Sequence, residues 1–443
     1  MKKLNIWTVT GVGLLIVGLA FPWGSVSDAG PTLPWTIYLQ LLFASGFLAL
    51  ALMSVAMVLA LRLPKIESWV GGLDQCYRLH RLSAEWGVGL GLTHYLIKVG
   101  AKALRKEGLL VKPQGFDSGI PELFSTWHDV ARLLGELGLY ASLALVAVAL
   151  IRAIPYHLFA RLHRILPLLY LGFVLHGVVF LPLSYWKNLS GAVFVICVVA
   201  GLVATGLSLS GRIGRNRQVQ GRVSEVTSLG KGVQEVQIDL GPAWPGHEAG
   251  QFALFTFDTR EGAHPFTIAS AWEGENARLH RIRVAIKALG DYTSTLPGTL
   301  VAEAPVRVEG PYGSFIFDQG KGRQIWIAGG IGLTPFVARL EHLVASTAEH
   351  EPVDLFYSAR HVSPETLARL STIASAGAVR LHVIDTEQEA PLNAKQVVEM
   401  IPDWKASSIW FCGPLKFGDA LEKSFVSMGL PKGQFHREAF DFR

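Results

Sequence analysis

The sequence predicts a multidomain membrane protein: a six-helix transmembrane bundle, then an antiparallel β-barrel, then an α/β domain built on a parallel sheet. Three observations predict it. Long apolar runs fill the first half of the chain. After Arg212, apolar and polar residues alternate over short segments. From Arg323 onward, buried-type strands alternate with helix-like stretches. Composition agrees, because 50% hydrophobic and only 17% charged residues, with a mean hydropathy of +0.34, fit a membrane part joined to a soluble part.

The apolar runs are Asn5–Phe21, Trp35–Leu61, Arg78–Val99, Leu134–Ile151, Phe159–Leu181 and Leu189–Leu209. Each has the length to span a hydrocarbon core of about 30 Å as a helix. The MKK start also admits a signal-peptide reading of the first run, which is long and lacks a clear small-residue cleavage site. Basic residues set the orientation. Lys2 and Lys3 precede the first run, Arg62, Lys65 and Arg78 lie between the second and third, Arg152, Arg161 and Arg164 lie between the fourth and fifth, and Arg212, Arg215 and Arg217 follow the sixth. This pattern puts both termini in the cytoplasm and makes the chain a multi-pass protein of the inner (plasma) membrane, in contact with the lipid bilayer. The exception is the outer segment with Lys98, Lys102, Arg105, Lys106 and Lys112.

The net charge of +5 follows from these loop positions and does not argue for a nucleic-acid partner. The three cysteines, Cys76, Cys197 and Cys412, are far apart with no CxxC pair. That argues against a disulfide framework and against a cysteine-ligated cluster.

Within the third run the stretch LHRLSAEWGVGLGLTHY holds His80 and His94, and the fifth run holds His163 and His176. An ionisable residue inside a span is a functional candidate. For one histidine, hydrogen bonding within the bundle is the simpler account. Two on each of two spans that run the same way suggest more. His80 faces His163 at one level and His94 faces His176 at another, about 21 Å further along the helix. A flat cofactor with an axial ligand on each side suits this arrangement, and haem commonly takes histidine. Gly87, Gly89 and Gly91 would let a macrocycle approach the backbone. At about 100° per residue, fourteen steps return to within about 40° of the start, whereas thirteen leave about 140°. Pro167, between His163 and His176, is expected to distort the helix and supply the correction. His157 and His128 read as solvated residues of connecting segments, and Glu85 as the partner of Arg81 four residues away.

In the β-rich part, HPFTIAS (His264–Ser270) follows QFALFTFD, and LGDYT and VEGPYG come next. The α/β part opens with IWIAGGIGLTPF, a strand running into Gly329, Gly330 and Gly332. Thr334 is expected to cap the following helix and Pro335 to occupy its first position. Such a turn either cradles a phosphate on glycine amides and a helix N-terminus or is simply a tight strand-to-helix connection. A later strand ends in FYSAR, where Ser358 and Arg360 would reach a ribose 2′-phosphate, the alternative for Arg360 being a solvated surface position. The last strand ends in FCGP, in which Cys412 on its own reads as a small buried hydrophobe.

The order and spacing of HPFTIAS, LGDYT, VEGPYG, AGGIGLTPF and FCGP resemble the ferredoxin-reductase-type flavin and nicotinamide domains. Joined to spans with paired histidines, nearly the whole chain resembles the ferric reductase and NADPH oxidase superfamily. Like its compact prokaryotic members, it shows no calcium-binding EF-hand. The resemblance implies a haem-binding membrane domain over residues 1–213, an FAD-binding β-barrel over 214–320 and an NAD(P)H-binding α/β domain over 321–443. It implies two haem b groups, one held by His80 and His163 and the other by His94 and His176. It places FAD against His264, Pro265, Phe266, Thr267 and Ser270, with Gly290, Tyr292 and Thr293 near its pyrophosphate. It assigns NADPH, or NADH, to Gly329, Gly330, Gly332, Thr334, Pro335, Gly413 and Pro414. Cys412 would lie near the hydride-transfer position, and a C-terminal aromatic, Phe440 or else Phe442, would cover the flavin ring. The implied activity is electron transfer from cytosolic NAD(P)H through FAD and the haems to an acceptor outside: oxygen giving superoxide, a ferric chelate, or a periplasmic redox protein.

Overall fold

The computed structural model of the chain describes residues 33–114, 119–151, 156–230, 232–272, 274, 280–317, 322–346, 349–360, 362–431 and 433–437. The expected first span, Asn5–Phe21, and the C-terminal aromatics Phe440 and Phe442 lie outside these. The chain divides into two compact units that meet at Gly214 and Arg215.

The first unit is helical: α1 Leu33–Leu59, α2 Leu73–Lys106, α3 His128–Leu150, α4 Tyr156–His163, α5 Leu166–Phe180 and α6 Leu189–Leu209. Among the described residues, four stretches are long and apolar enough to cross a membrane: Leu33–Leu59, Glu122–Ala149, Leu158–Phe180 and Leu189–Leu209. The helix α2 is longer, at 34 residues, but Glu85, Thr93 and its histidines and glycines interrupt its apolar stretch. The second to sixth expected spans are thus all helical, four of them within apolar stretches of spanning length and the third the longer, more polar α2.

Tight packing in this unit depends on absent side chains. A Cβ on Gly201 would stand 1.9 Å from the Tyr170 hydroxyl oxygen, so only glycine admits that ring beside α6. The Tyr170 hydroxyl then lies 2.7 Å from Ser54 Oγ on α1, and a buried phenol is thereby satisfied. Phe47, Leu50, Val174, Phe194 and Val198 pack around it, which ties α1, α5 and α6 together.

The second unit holds two sheets. The first contains β1 Gln218–Gly230, β2 Val233–Leu240, β3 Phe252–Thr256, β4 His264–Thr267, β5 His280–Lys287 and β6 Pro305–Tyr312, in the order β4-β3-β6-β1-β2-β5. Its pairings are antiparallel, and alternate residues such as Val236, Ile238, Ile282 and Val284 are fully buried, as period-two patterning requires. The expected barrel is not closed by a continuous ladder. The edge strands β4 and β5 are linked by one isolated bridge, Ile268–Val284, because β4 is only four residues long.

The second sheet is parallel and comprises β7 Gln324–Gly329, β8 Val353–Ala359, β9 Val379–Asp385, β10 Ser408–Cys412 and β11 Phe435–Arg437, ordered β11-β10-β7-β8-β9. Its central strands are continuously buried, the pattern of a sheet covered on both faces. The helices α7 Thr334–Ala345, α8 Pro364–Ala376, α9 Ala394–Met400 and α10 Leu415–Ser427 connect and cover it. Two features join the sheets into one unit. Phe315 and Phe317, just past β6, enter the core of Trp326, Phe336 and Trp410. Across the same boundary Arg283 of β5 pairs with Glu341 of α7, and Arg369 of α8 donates to Glu235 of β2 at 3.1 Å.

Candidate functional site

The four membrane histidines meet in two pairs. The rings of His80 and His163 are 5.9 Å apart between centroids, and those of His94 and His176 are 6.1 Å apart. Both lower members come from α2, while the partners come from α4 and α5. The thirteen-residue spacing is accommodated by a break. Helix α4 ends at His163, α5 begins at Leu166 and Pro167 lies in its first turn. Across the break the Ile165 amide donates to Leu162 O at 3.0 Å and the Leu168 amide to Ile165 O at 2.9 Å. Such three-residue bonds wind at about 120° per residue instead of about 100°, which adds rotation in the direction the spacing lacks.

Three of the four rings are oriented by the backbone. His80 Nδ1 lies 2.8 Å from Ala56 O, His94 Nδ1 2.9 Å from Leu42 O, and His176 Nδ1 3.0 Å from Ala131 O. A carbonyl only accepts, so in each bond Nδ1 carries the hydrogen and Nε2 keeps its lone pair. That is the arrangement found behind metal-bound histidine. Two metal–nitrogen bonds of about 2 Å plus the ring half-widths span about 6 Å between centroids, which matches both pairs. On that separation, each pair could hold a metal through one imidazole nitrogen from each ring.

The glycines that make room for these rings are not those in the GVGLG stretch. A Cβ on Gly135 of α3 would come within 2.6 Å of His176 Nδ1, and one on Gly46 of α1 within 3.0 Å of His94 Nδ1. Gly87 instead packs on Met53, Gly91 faces Leu139, and Gly89 has no neighbour within 4 Å of a Cβ position. Of the three, Gly89 alone keeps the open space expected for a macrocycle. Sequence reasoning missed Gly46 and Gly135, whose only signal is glycine in an apolar run. His128 is also corrected: it stacks on Phe180, 5.3 Å between centroids, because it begins α3 and is not part of a solvated loop. The His157 side chain lies outside the described residues. Glu85 pairs with Arg81 at 2.9 Å as expected.

In the second unit, β4 carries His264, Pro265, Phe266 and Thr267 in register with Phe252–Phe255 of β3. The His264 ring stacks on Tyr292, 4.2 Å between centroids, which brings HPFT and LGDYT together. Burial lowers the His264 pKa, opposed by Glu261, and burial with the Asp258 carboxylate pushes the Tyr292 phenol up to about 12. Histidine is thus neutral and tyrosine protonated at neutral pH. The Thr293 hydroxyl accepts from the amides of Gly290, at 3.0 Å, and Leu289, at 3.1 Å, so it braces the turn. Ser270 is buried, and its hydroxyl accepts from the Arg283 amide at 3.1 Å.

The glycine turn and the FCGP turn are in contact. In the parallel sheet Ala328 is in register with Cys412, and Gly329 with Ser358. A Cβ on Gly332 would stand 2.2 Å from Cys412 O, and one on Gly413 would stand 2.9 Å from the Gly329 Cα. From β7 the chain runs outward through β8 and β9, then returns on the other side as β10 and β11. The crevice at the carboxyl ends of β7 and β10 is therefore the topological switch point, where open α/β sheets bind ligands. Cys412 is buried at that edge, Ser358 is buried at the end of β8, and Arg360 beyond it is exposed. Thr334 does not cap α7. A 3₁₀ turn over Gly330–Leu333 leads directly into the helix, Pro335 lies within its first two positions, and Leu333 takes the cap position with helical dihedrals. The Thr334 hydroxyl donates instead to Ile331 O at 2.8 Å, and Gly330 adopts φ +56°.

Residues 45–174 match the family model described as ferric reductase like transmembrane component. Other parts of the chain are similar in sequence to curated oxidoreductases. It is 29% identical over 147 residues to a flavohemoprotein of Oceanobacillus iheyensis, covering 30% of this chain and 35% of that one. It is 34% identical over 141 residues to phenoxybenzoate dioxygenase subunit beta of Ectopseudomonas oleovorans, covering 31% and 40%. With an NADPH oxidoreductase of Mycobacterium tuberculosis it shares 25% identity over 250 residues, covering 53% and 63%. These alignments span from about a third to under two thirds of the relatives' own length. Among solved structures, the FAD/NAD binding domain of nitric oxide dioxygenase from Vibrio cholerae aligns with a TM-score of 0.43 at 17% identity, covering 50% of this chain and 98% of that one.

Proposed function

We propose that the chain is a transmembrane oxidoreductase that passes electrons from NAD(P)H on the cytoplasmic side to an acceptor outside. The two histidine pairs, each with rings about 6 Å apart, and the backbone carbonyls bonded to Nδ1 of His80, His94 and His176 carry this reading. His80 with His163 would hold the inner haem b, and His94 with His176 the outer. When bound, FAD and haem would supply the conversion between hydride transfer and single-electron transfer.

The chain's own residues supply position. The carbonyls of Ala56, Leu42 and Ala131 fix the tautomer and direction of three ligand rings. The His264–Tyr292 stack and the turn braced by Thr293 hold the flavin, with Pro265, Phe266, Thr267, Ser270 and Gly290 lining its place. The turn over Gly329, Gly330 and Gly332, followed by Thr334 and Pro335, presents backbone amides to the nicotinamide nucleotide beside Gly413 and Pro414. Cys412, at the carboxyl end of β10, would lie near the reacting ring, and Arg360 would bind a 2′-phosphate.

Oxygen is the first acceptor reading, because Lys98 lies one helical turn beyond His94 and a cation there stabilises superoxide. A ferric chelate is the second, since the same segment attracts anions. An electron-transfer role toward a periplasmic protein is the third. The experiment is anaerobic NADPH reduction of the purified protein, followed by addition of each acceptor. A reduced b-type band and bound flavin are expected, with rapid reoxidation by oxygen; absence of both chromophores would remove the proposal.

A further inference from the structure

The end of the helical unit beyond His94 carries an apolar groove of about 500 Å³, between the start of α1 and the end of α2. Leu33, Ile37 and Tyr38 form one wall, and Ile97, Gly100 and Leu104 the other. Its volume falls in the range of about 300–1,000 Å³ typical of small-ligand sites. Apolar side chains also surround its mouth, with Leu33 73% and Leu109 72% exposed.

The flank of this groove is cationic. Between Leu96 and Lys112 the sequence has five cations, Lys98, Lys102, Arg105, Lys106 and Lys112, against the single carboxylate of Glu107. On α2, taking Ala101 as reference, Ile97, Gly100 and Leu104 fall within about 100° to one side. Lys98, Lys102, Arg105 and Lys106 fall within about 140° to the other. The helix thus sets an apolar strip directly beside a basic one. All four of these cations are exposed, and the Arg105 guanidinium lies 5.9 Å above the ring of Trp35, which packs on Tyr38 of the groove wall. These charges also break the rule that puts basic residues inside. A basic cluster beside a lipid-facing groove matches an anionic headgroup with its acyl chain.

We propose that this groove binds one anionic phospholipid, with an acyl chain between α1 and α2 and the phosphate held by Lys102, Arg105 and Lys106. The assignment needs neither haem nor flavin, so it stands or falls separately from the electron-transfer reading.

The test uses the purified full chain in nanodiscs of phosphatidylcholine with or without phosphatidylglycerol. Native mass spectrometry reads the lipid that stays bound. The expected result is one retained phosphatidylglycerol per chain, and about tenfold less retention in the triple variant K102Q/R105Q/K106Q. The control Lys65→Gln, in a different connection, is expected to retain it fully. A second variant separates site from charge. A Cβ at Gly100 meets nothing within 4 Å, so Gly100→Leu fills the groove without a clash and is expected to abolish retention with all cations intact. Unchanged retention in either variant overturns the proposal. So does equal retention of neutral lipid, or a groove filled by a second copy or by another segment of the chain and holding no lipid.

Discussion

Gly135 lies against His176 so closely that a Cβ there would stand 2.6 Å from the ring nitrogen Nδ1. That nitrogen is also the one bonded to Ala131 O at 3.0 Å, one helical turn earlier on the same helix. Position and orientation of the ring therefore depend on one missing side chain. Gly135→Ala is expected to displace His176 and remove the outer haem, which halves the b-type difference spectrum. Gly46→Ala, with 3.0 Å to the His94 ring, is expected to do less. Gly206→Ala, where a Cβ meets nothing within 4 Å, should leave the spectrum intact. Equal spectra for Gly135→Ala and Gly206→Ala would show that the glycine does not set the ring.

Gly332 stands in the same relation to the Cys412 carbonyl, but here the obstacle is backbone. A Cβ at 2.2 Å from that oxygen forces the two turns apart. Gly332→Ala is expected to cost about 1–3 kcal/mol of stability, as overpacking does, and to raise KM for NAD(P)H at least about tenfold. FAD content should stay normal, because HPFT lies on the other sheet and LGDYT just after its strand β5. Loss of flavin alongside the KM effect would indicate general unfolding.

His247 makes acid stability a local property. Its ring is 7% exposed; Trp244 Nε1–H donates to Nδ1 at 3.4 Å, and Nε2–H donates to Ser270 O at 2.9 Å. Burial pushes its pKa down to about 4, against about 6.5 when unfolded. The unfolded state therefore takes up the proton first. The contribution is fully present above about pH 6.5 and is lost progressively as pH falls towards about 4, an effect on the order of 3 kcal/mol. Unfolding followed by tryptophan fluorescence between pH 7 and 4 should show this slope. His247→Asn should flatten it; an unchanged slope would assign the acid sensitivity elsewhere.

Arg360 is exposed just beyond the carboxyl end of β8, next to the strand whose Ser358 is in register with Gly329. Arg360→Ala is expected to raise KM for NADPH by about tenfold or more and to leave KM for NADH nearly unchanged, because a bidentate contact to phosphate is lost. Steady-state kinetics with both nucleotides check it, and equal effects would remove the residue from phosphate recognition.

Much of the arrangement was legible because it rests on local chemistry. The Leu189–Leu209 run is a helix over those same residues, since an apolar run must satisfy its own backbone in lipid. The alternating segments formed antiparallel strands and the continuous apolar ones formed a parallel sheet, since side-chain period follows from which faces are buried. The pairing of His80 with His163 and of His94 with His176 also followed from spacing on two spans that run the same way.

What resisted the sequence was decided between elements. A helical period says that thirteen residues misalign two rings; only the packed chain shows the break at Arg164–Ile165 that changes the phase. The clearance glycines, Gly46 and Gly135, lie on none of the three helices that carry the paired histidines, and their role exists only where α1 and α3 touch the rings. Thr334 has the chemistry of a cap, but the 3₁₀ turn before it starts the helical winding early and turns its hydroxyl to Ile331. The sequence by itself determined the residue types, their periods and the order of the domains. Tertiary structure decided the close approaches, because these depend on distances between backbones that are remote along the chain.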